Sequence, residues 1–211
     1  MVKGIDELDN MQLDVLREIG NIGAGNAATA LAKMLNKKVD MDVPRVKVLE
    51  FMEVSETLGG AELPVVGILL KVSGDLTGNI MFILQQKAAA LLVNMIMGRP
   101  TDVVEADSER PFTEIEISAL KEIGNILTGS YLSALSALTN LKIIPSVPDL
   151  AIDMAGAILS VPAIEFGKVG DTVLYIETEF TDGDDKVVGD FLLVPDLRTY
   201  DILLKALGVI E

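Results

Sequence analysis

Two stretches of this chain place a carboxylate and a carboxamide three residues apart in near-identical surroundings. Glu18 and Asn21 lie in LREIGNI at 16–22, and Glu122 and Asn125 lie in LKEIGNI at 120–126. On a helix turning about 100° per residue, Asp14, Glu18, Asn21 and Gly25 share one stripe roughly 60° wide. Ser118, Glu122, Asn125 and Gly129 share the matching stripe in the second copy. A carboxylate can pair with a cation, and an amide can both donate to and accept from a water. An exposed Glu and Asn three residues apart are also ordinary solvated surface, and a duplicated gene keeps surface residues too. At this level a functional site and a bland helix face stand equally open.

What must position these residues is a pair of amphipathic helices. Opposite the first stripe lie Leu16, Ile19, Ala27, Ala30 and Met34, and opposite the second lie Leu120, Ile123 and Ala134. These faces should pack on a sheet and leave the acid–amide stripes outward. Glycine inside a helix costs about 1 kcal/mol against alanine. Gly20 and Gly23 point toward the packed side, where they allow close approach. Gly25 and Gly129 lie on the stripes, where a missing side chain leaves room for another molecule.

The two stretches belong to a repeat with an offset of 104. Aligning 14–44 with 118–148 gives 13 identities in 31 positions, including Val43-Pro44 against Val147-Pro148. Self-similarity of this kind sets the architecture before any element is assigned. The chain reads as one domain, 1–211, of two units at about 9–104 and 113–211. Helices are expected at 9–35 and 113–139, followed by strands at 38–50 and 141–152. Hairpins follow at 64–73 with 76–85, and at 171–181 with 186–195; Gly74-Asp75 and Asp182–Asp185 supply the turns. Short helices at 86–97 and 196–207 close the units, and another helix is expected at 151–160. The fold class is α+β with internal pseudo-two-fold symmetry.

Composition removes most rival chemistries. The 211 residues include 17 basic and 32 acidic side chains, a formal net charge of -15. That balance repels nucleic-acid backbones and attracts basic surfaces. There is no Cys and no His. Thiol nucleophiles, Ser-His-Asp chemistry and imidazole zinc sites are therefore excluded. No apolar run approaches the roughly 20 residues that span a bilayer. The N-terminus lacks a signal core, so a cytoplasmic protein without membrane insertion is expected. GAGNAA at 23–28 mimics a dinucleotide fingerprint but sits inside a helical pattern instead of following a strand. TDGDDK at 181–186 lacks the ligand spacing of an EF-hand and reads as a solvated turn. The nine Met residues read as core filler.

The pattern [D/S]-x3-E-x2-N-x22-P occurs as Asp14, Glu18, Asn21, Pro44 and again as Ser118, Glu122, Asn125, Pro148. It resembles the signature of the CheC/CheX/FliY phosphatases of bacterial chemotaxis, and the resemblance runs over essentially the whole chain. Two sites and no added switch domain look most like the CheC branch. The resemblance implies hydrolysis of the aspartyl phosphate of the response regulator CheY. It implies that Asn21 and Asn125 orient the attacking water and that Glu18 and Glu122 pair with a regulator Lys. Asp14, Ser118, Gly25, Gly129, Pro44 and Pro148 would support them. No cofactor of its own is implied, because Mg²⁺ belongs to the regulator. The deamidase CheD is an implied second partner, with the 150–160 segment as its candidate surface. The alternative is a non-enzymatic scaffold, flagellar-switch-like or CheD-binding; FliM-type relatives share the fold but lack the Glu/Asn motif.

Overall fold

The repeat is visible as a repeat of elements. In the computed structural model, helix α1 (Asn10–Leu35), strand β1 (Asp40–Glu50) and helix α2 (Phe51–Leu58) are followed by the hairpin β2 (Pro64–Gly74) and β3 (Gly78–Gln85) and by helix α3 (Gln86–Met97). The second unit runs α4 (Glu114–Thr139), β4 (Ile143–Pro145), β5 (Asp149–Met154), α5 (Ala155–Phe166), β6 (Thr172–Asp182), β7 (Asp185–Pro195) and α6 (Leu197–Ala206). The structure describes residues 10–35, 38, 40–101, 110–166, 172–182, 185–195 and 197–206. The tip of the second turn, at 183–184, lies outside the described residues.

All seven strands form one antiparallel sheet in the order β1-β6-β7-β3-β2, with β4 and β5 sharing the far edge of β2. The strand after each long helix therefore pairs with the hairpin of the other repeat. β1 lies on β6, and β4 and β5 lie on β2. Neither repeat can complete its sheet alone. The central pair is β3 with β7, where Phe82 opposes Phe191, and their rings stack at 4.6 Å.

Helices cover both faces, because the hairpin strands are apolar on both sides. On one face α1 and α4 pack with α3 and α6 over Ile68, Leu70, Phe82, Leu84 and Phe191. On the other face α2 and α5 pack over Val65, Met81, Ile83, Val173, Tyr175 and Leu192. α1 and α4 meet where Gly23 lies against Tyr131; a Cβ there would stand 2.9 Å from the Tyr131 Cα. The start of α4 is fixed by a capping box between Thr113 and Glu116. The Oε1 of the buried Glu116 also takes Arg110 at 2.7 Å and Arg99 at 2.5 Å. The first hairpin turn is bound to the second repeat. Gly74 has φ +111°, and the Lys142 N–H donates to the Asp75 carboxylate at 2.7 Å.

The structure corrects several expectations. The helix expected at 151–160 is strand as far as Met154 and begins at Ala155. The single strand expected at 141–152 is divided around Ser146–Pro148. Helix α2 was not anticipated; its eight residues are too short for a clear 3.6-residue period. Its buried Val54 and Leu58 match the role of Ile158 and Leu159 in α5. Met34 is 44% exposed and Ala30 half-buried, whereas Leu31 between them is buried. The methionines divide too: Met41, Met81 and Met95 are buried, whereas Met11, Met52 and Met154 are exposed.

Candidate active site

α1 and α4 each carry one complete stripe. Leu16, Ile19, Ala24, Ala27 and Leu31 face the core in α1, as do Leu120, Ile123, Leu127 and Leu135 in α4. That burial leaves Asp14, Glu18 and Asn21 exposed on α1, and Ser118, Glu122 and Asn125 exposed on α4. Positions three and four apart on a helix are neighbours, so each Glu and Asn pair can reach one small target together. A Cβ placed on Gly25 or on Gly129 would meet nothing within 4 Å. Each stripe therefore ends in a bare patch of helix backbone.

Asp14 forms an ion pair with Arg17 at 3.1 Å, both side chains substantially exposed. An exposed pair of this kind contributes little to stability. It gives Asp14 a local partner that Ser118 cannot have. Among the described residues, no group of three carboxylates converges as a metal cluster would.

The stripes differ in what holds the asparagine. The Val43 N–H donates to Asn21 Oδ1 at 3.2 Å. That bond identifies the oxygen end of the amide, because only the oxygen can accept from an N–H. In the first repeat the bond falls at the Val-Pro pair that ends the motif, where β1 runs back beside α1. Gly20 makes the approach close: a Cβ there would stand 3.3 Å from the Val43 side chain. Val43 is buried, at 3% exposed. In the second repeat Val147 is 81% exposed, and among the described residues no bond joins its N–H to Asn125. There the glycine matching Gly20 is Gly124, which packs against Ile68 of β2. Pro44 lies in β1, and the half-buried Pro148 lies between β4 and β5.

Sequence reasoning found the stripe residues but not the Val43 contact. Its signal was present in the matched Val-Pro pairs of the two repeats, which a helical wheel does not read. An apolar cavity lies between the two long helices and the sheet, among Leu16, Ile19, Tyr131, Leu135, Ile176 and Phe191. None of the stripe residues line it.

A model of the CheC-like family matches residues 11–48 and 115–152, the two helix–strand segments that carry the stripes. The CheY-P phosphatase CheC of Bacillus subtilis strain 168 is 41% identical over 199 residues, covering 93% of this chain and 94% of that protein. The crystal structure of Thermotoga maritima FliY matches with a TM-score of 0.74 and 26% identity, over 95% of this chain and 99% of that one. FliM in the FliM–SpeE complex of Helicobacter pylori matches with a TM-score of 0.71 over 96% of this chain and 97% of its own, but only 13% identity. That likeness shows the fold alone.

Proposed function

The chain belongs to the CheC-like family, and we propose that it hydrolyses the aspartyl phosphate of a CheY response regulator. The observation that carries this is the pair of exposed Glu/Asn stripes, one on each long helix. They stand in a chain 41% identical to a protein named for CheY-P phosphatase activity. A flagellar-switch scaffold would need the fold but not the stripes.

The chemistry fits what these side chains can do. Phosphoryl transfer to water needs an in-line nucleophile and compensation of charge more than covalent help. Asn21 or Asn125 enters the regulator's pocket and holds a water in line with the phosphorus. Glu18 or Glu122 docks one turn earlier on a regulator Lys through a charge-assisted contact. The Mg²⁺ that this chemistry uses is the regulator's own, so the cation arrives with the substrate. The bare backbone at Gly25 and Gly129 gives the regulator clearance.

The cytoplasm is the compartment this reading assigns; none of the described helices is long and apolar enough to cross a membrane. The deamidase CheD is a second proposed partner. The exposed run Ala151–Met154 on the edge strand β5 supports a docking surface there.

The deciding experiment follows the decay of phosphorylated CheY with the wild type, with Asn21→Ala, with Asn125→Ala and with both changes. Each single variant should retain turnover, and the double variant should fall to the unassisted rate with its circular dichroism unchanged. Unaccelerated decay with the wild type would refute the assignment. Complete loss from one single change would refute two independent sites.

A further inference from the structure

The strand that follows α1 breaks register where it passes the first stripe. Asp42 pairs with Glu179 and Arg45 pairs with Glu177, so Val43 and Pro44 together oppose the single residue Thr178. This is a β-bulge, a device that re-aims groups beside sites. An ordinary bulge would offer two N–H groups to the strand it faces. Here Pro44 has none, and the N–H of Val43 goes to Asn21 Oδ1 at 3.2 Å. The bulge is held from beneath, because the buried Thr178 hydroxyl bonds the Tyr131 hydroxyl of α4 at 3.0 Å.

The second repeat has the same break without the same outcome. Pro145 pairs with Val72 and Asp149 with Leu69, so one extra residue stands on that strand too. Its Ser146 closes onto the neighbouring strand: the Ser146 N–H donates to the Lys71 carbonyl at 2.8 Å, and the Lys71 N–H donates to Ser146 Oγ at 3.0 Å. Val147 then projects outward, 81% exposed, and among the described residues its N–H makes no bond to Asn125. The residue opposite this bulge is Leu70, which is apolar and fully buried, where the first repeat has the Thr178 hydroxyl.

We infer that the Val43-Pro44 bulge is the positioning element of the first site, fixing the amide plane of Asn21, and that the second site works without one. The inference rests on the phosphatase reading for its consequence, though not for the bond itself. With one lone pair of Oδ1 committed to Val43, the NH₂ end of Asn21 turns away from the strand toward a docked partner. The remaining lone pair of Oδ1 can still accept from a water. The amide is thus set before the regulator arrives, which is what pre-organisation requires. Asn125 must be set by the regulator itself.

The test separates the sites by silencing one at a time. Asn125→Ala leaves the first site alone, and Asn21→Ala leaves the second. Pro44→Ala restores an N–H to the bulge and releases the fixed φ of proline. In the Asn125→Ala background it should lower the dephosphorylation rate at saturating regulator at least tenfold. In the Asn21→Ala background it should change that rate by less than twofold. Hydrogen exchange of the Val43 amide, measured without regulator, should be at least tenfold faster in Asn21→Ala than in wild type. Should Pro44→Ala fold poorly, Gly20→Ala replaces it, since its Cβ would press on Val43 at 3.3 Å. Equal losses in both backgrounds would overturn the inference, because the bulge would then act through the fold. Unchanged Val43 exchange on losing Asn21 would overturn it as well. A parent single-site protein that never accelerates decay would count against the phosphatase reading, while Val43 exchange would still decide the bond.

Discussion

The two long helices carry the same stripe on different supports. α1 leans on its own following strand, with Gly20 against Val43 and Asn21 tied to the Val43 N–H. At the matching glycine α4 meets the other repeat's hairpin, with Gly124 against Ile68, and it is pinned at its start by Glu116 with Arg99 and Arg110. The first site is braced at the asparagine, and the second is braced two turns before it. Duplication kept the Glu/Asn stripe in both halves but left the bracing free to diverge. Equal residues therefore need not mean equal sites.

The largest effect that can break this comparison comes from lengthening the amide. Asn21→Gln in the Asn125→Ala background moves the amide by about 1 Å, and misplacement on that scale can lower a rate on the order of a hundredfold. The Val43 bond prevents Asn21 from compensating. Asn125→Gln in the Asn21→Ala background should cost roughly tenfold, because among the described residues no bond ties that side chain. Single-turnover decay of phosphorylated CheY measures both, and equal losses would remove the distinction.

The clamp on α4 gives the next effect. Glu116 is 1% exposed, and Arg110, followed by the Thr113 N–H and Arg99, holds its carboxyl well below the usual carboxylate range. A depressed folded-state value stabilises the fold fully above the unfolded value of about 4.3 and progressively less as pH falls below it. Glu116→Gln should lower stability at pH 7 by roughly 2 kcal/mol. That is less than a fully buried pair would lose, because Arg99 and Arg110 remain 44% and 36% exposed. The difference between variant and wild type should shrink toward pH 3 in urea titrations. The position matching Glu116 in α1 is Gln12, so this pH response belongs to one half of the molecule.

The hairpins differ in the same one-sided way. Asp190 is buried, which pushes its carboxyl up to about 6, while the Tyr175 hydroxyl donates to it at 2.5 Å. Register places Met81 and Gly67 at the matching points of the first hairpin, with Ile158 occupying the space beside Gly67. A folded-state value raised above the unfolded one lowers stability as pH rises through the interval between them. Asp190→Asn should therefore raise stability by about 1–2 kcal/mol at pH 7 and by little at pH 3.5. A flat difference between those pH values would show that Asp190 ionises freely in the fold.

Much of this was legible in the residues. Helical phase alone put Glu18, Asn21, Glu122 and Asn125 on exposed faces, and the offset of 104 gave two units. Which hairpin each strand would join was not legible. β1 pairs with β6 and not with β2, and both pairings satisfy the same apolar pattern. Helix α2 was not anticipated and the end of β5 was misread, because short runs such as FMEVSETL and AIDMAGAILS show no decisive period. The Val43 bond was missed because a helical wheel does not read the Val-Pro pair 22 residues downstream, and the register shift that aims its N–H exists only once β1 is paired with β6.

The smallest effect is the sharpest test of what the bare ends of the stripes are for. Gly25 and Gly129 each lie inside a helix, where alanine is more stable by roughly 0.5–1 kcal/mol. A Cβ at either position would meet nothing within 4 Å, so no clash offsets that gain. Gly25→Ala and Gly129→Ala should each raise the unfolding free energy by that amount in urea titrations. Gly23→Ala is the control, because its Cβ would stand 2.9 Å from the Tyr131 Cα and should destabilise the fold. If the glycines are kept for a docked partner, each alanine should weaken only its own site. Gly25→Ala should raise KM for the phosphorylated regulator several-fold in the Asn125→Ala background and leave it unchanged in the Asn21→Ala background. Gly129→Ala should do the reverse. A variant that gains stability with no loss at its own site would show that the regulator stops short of the helix backbone there.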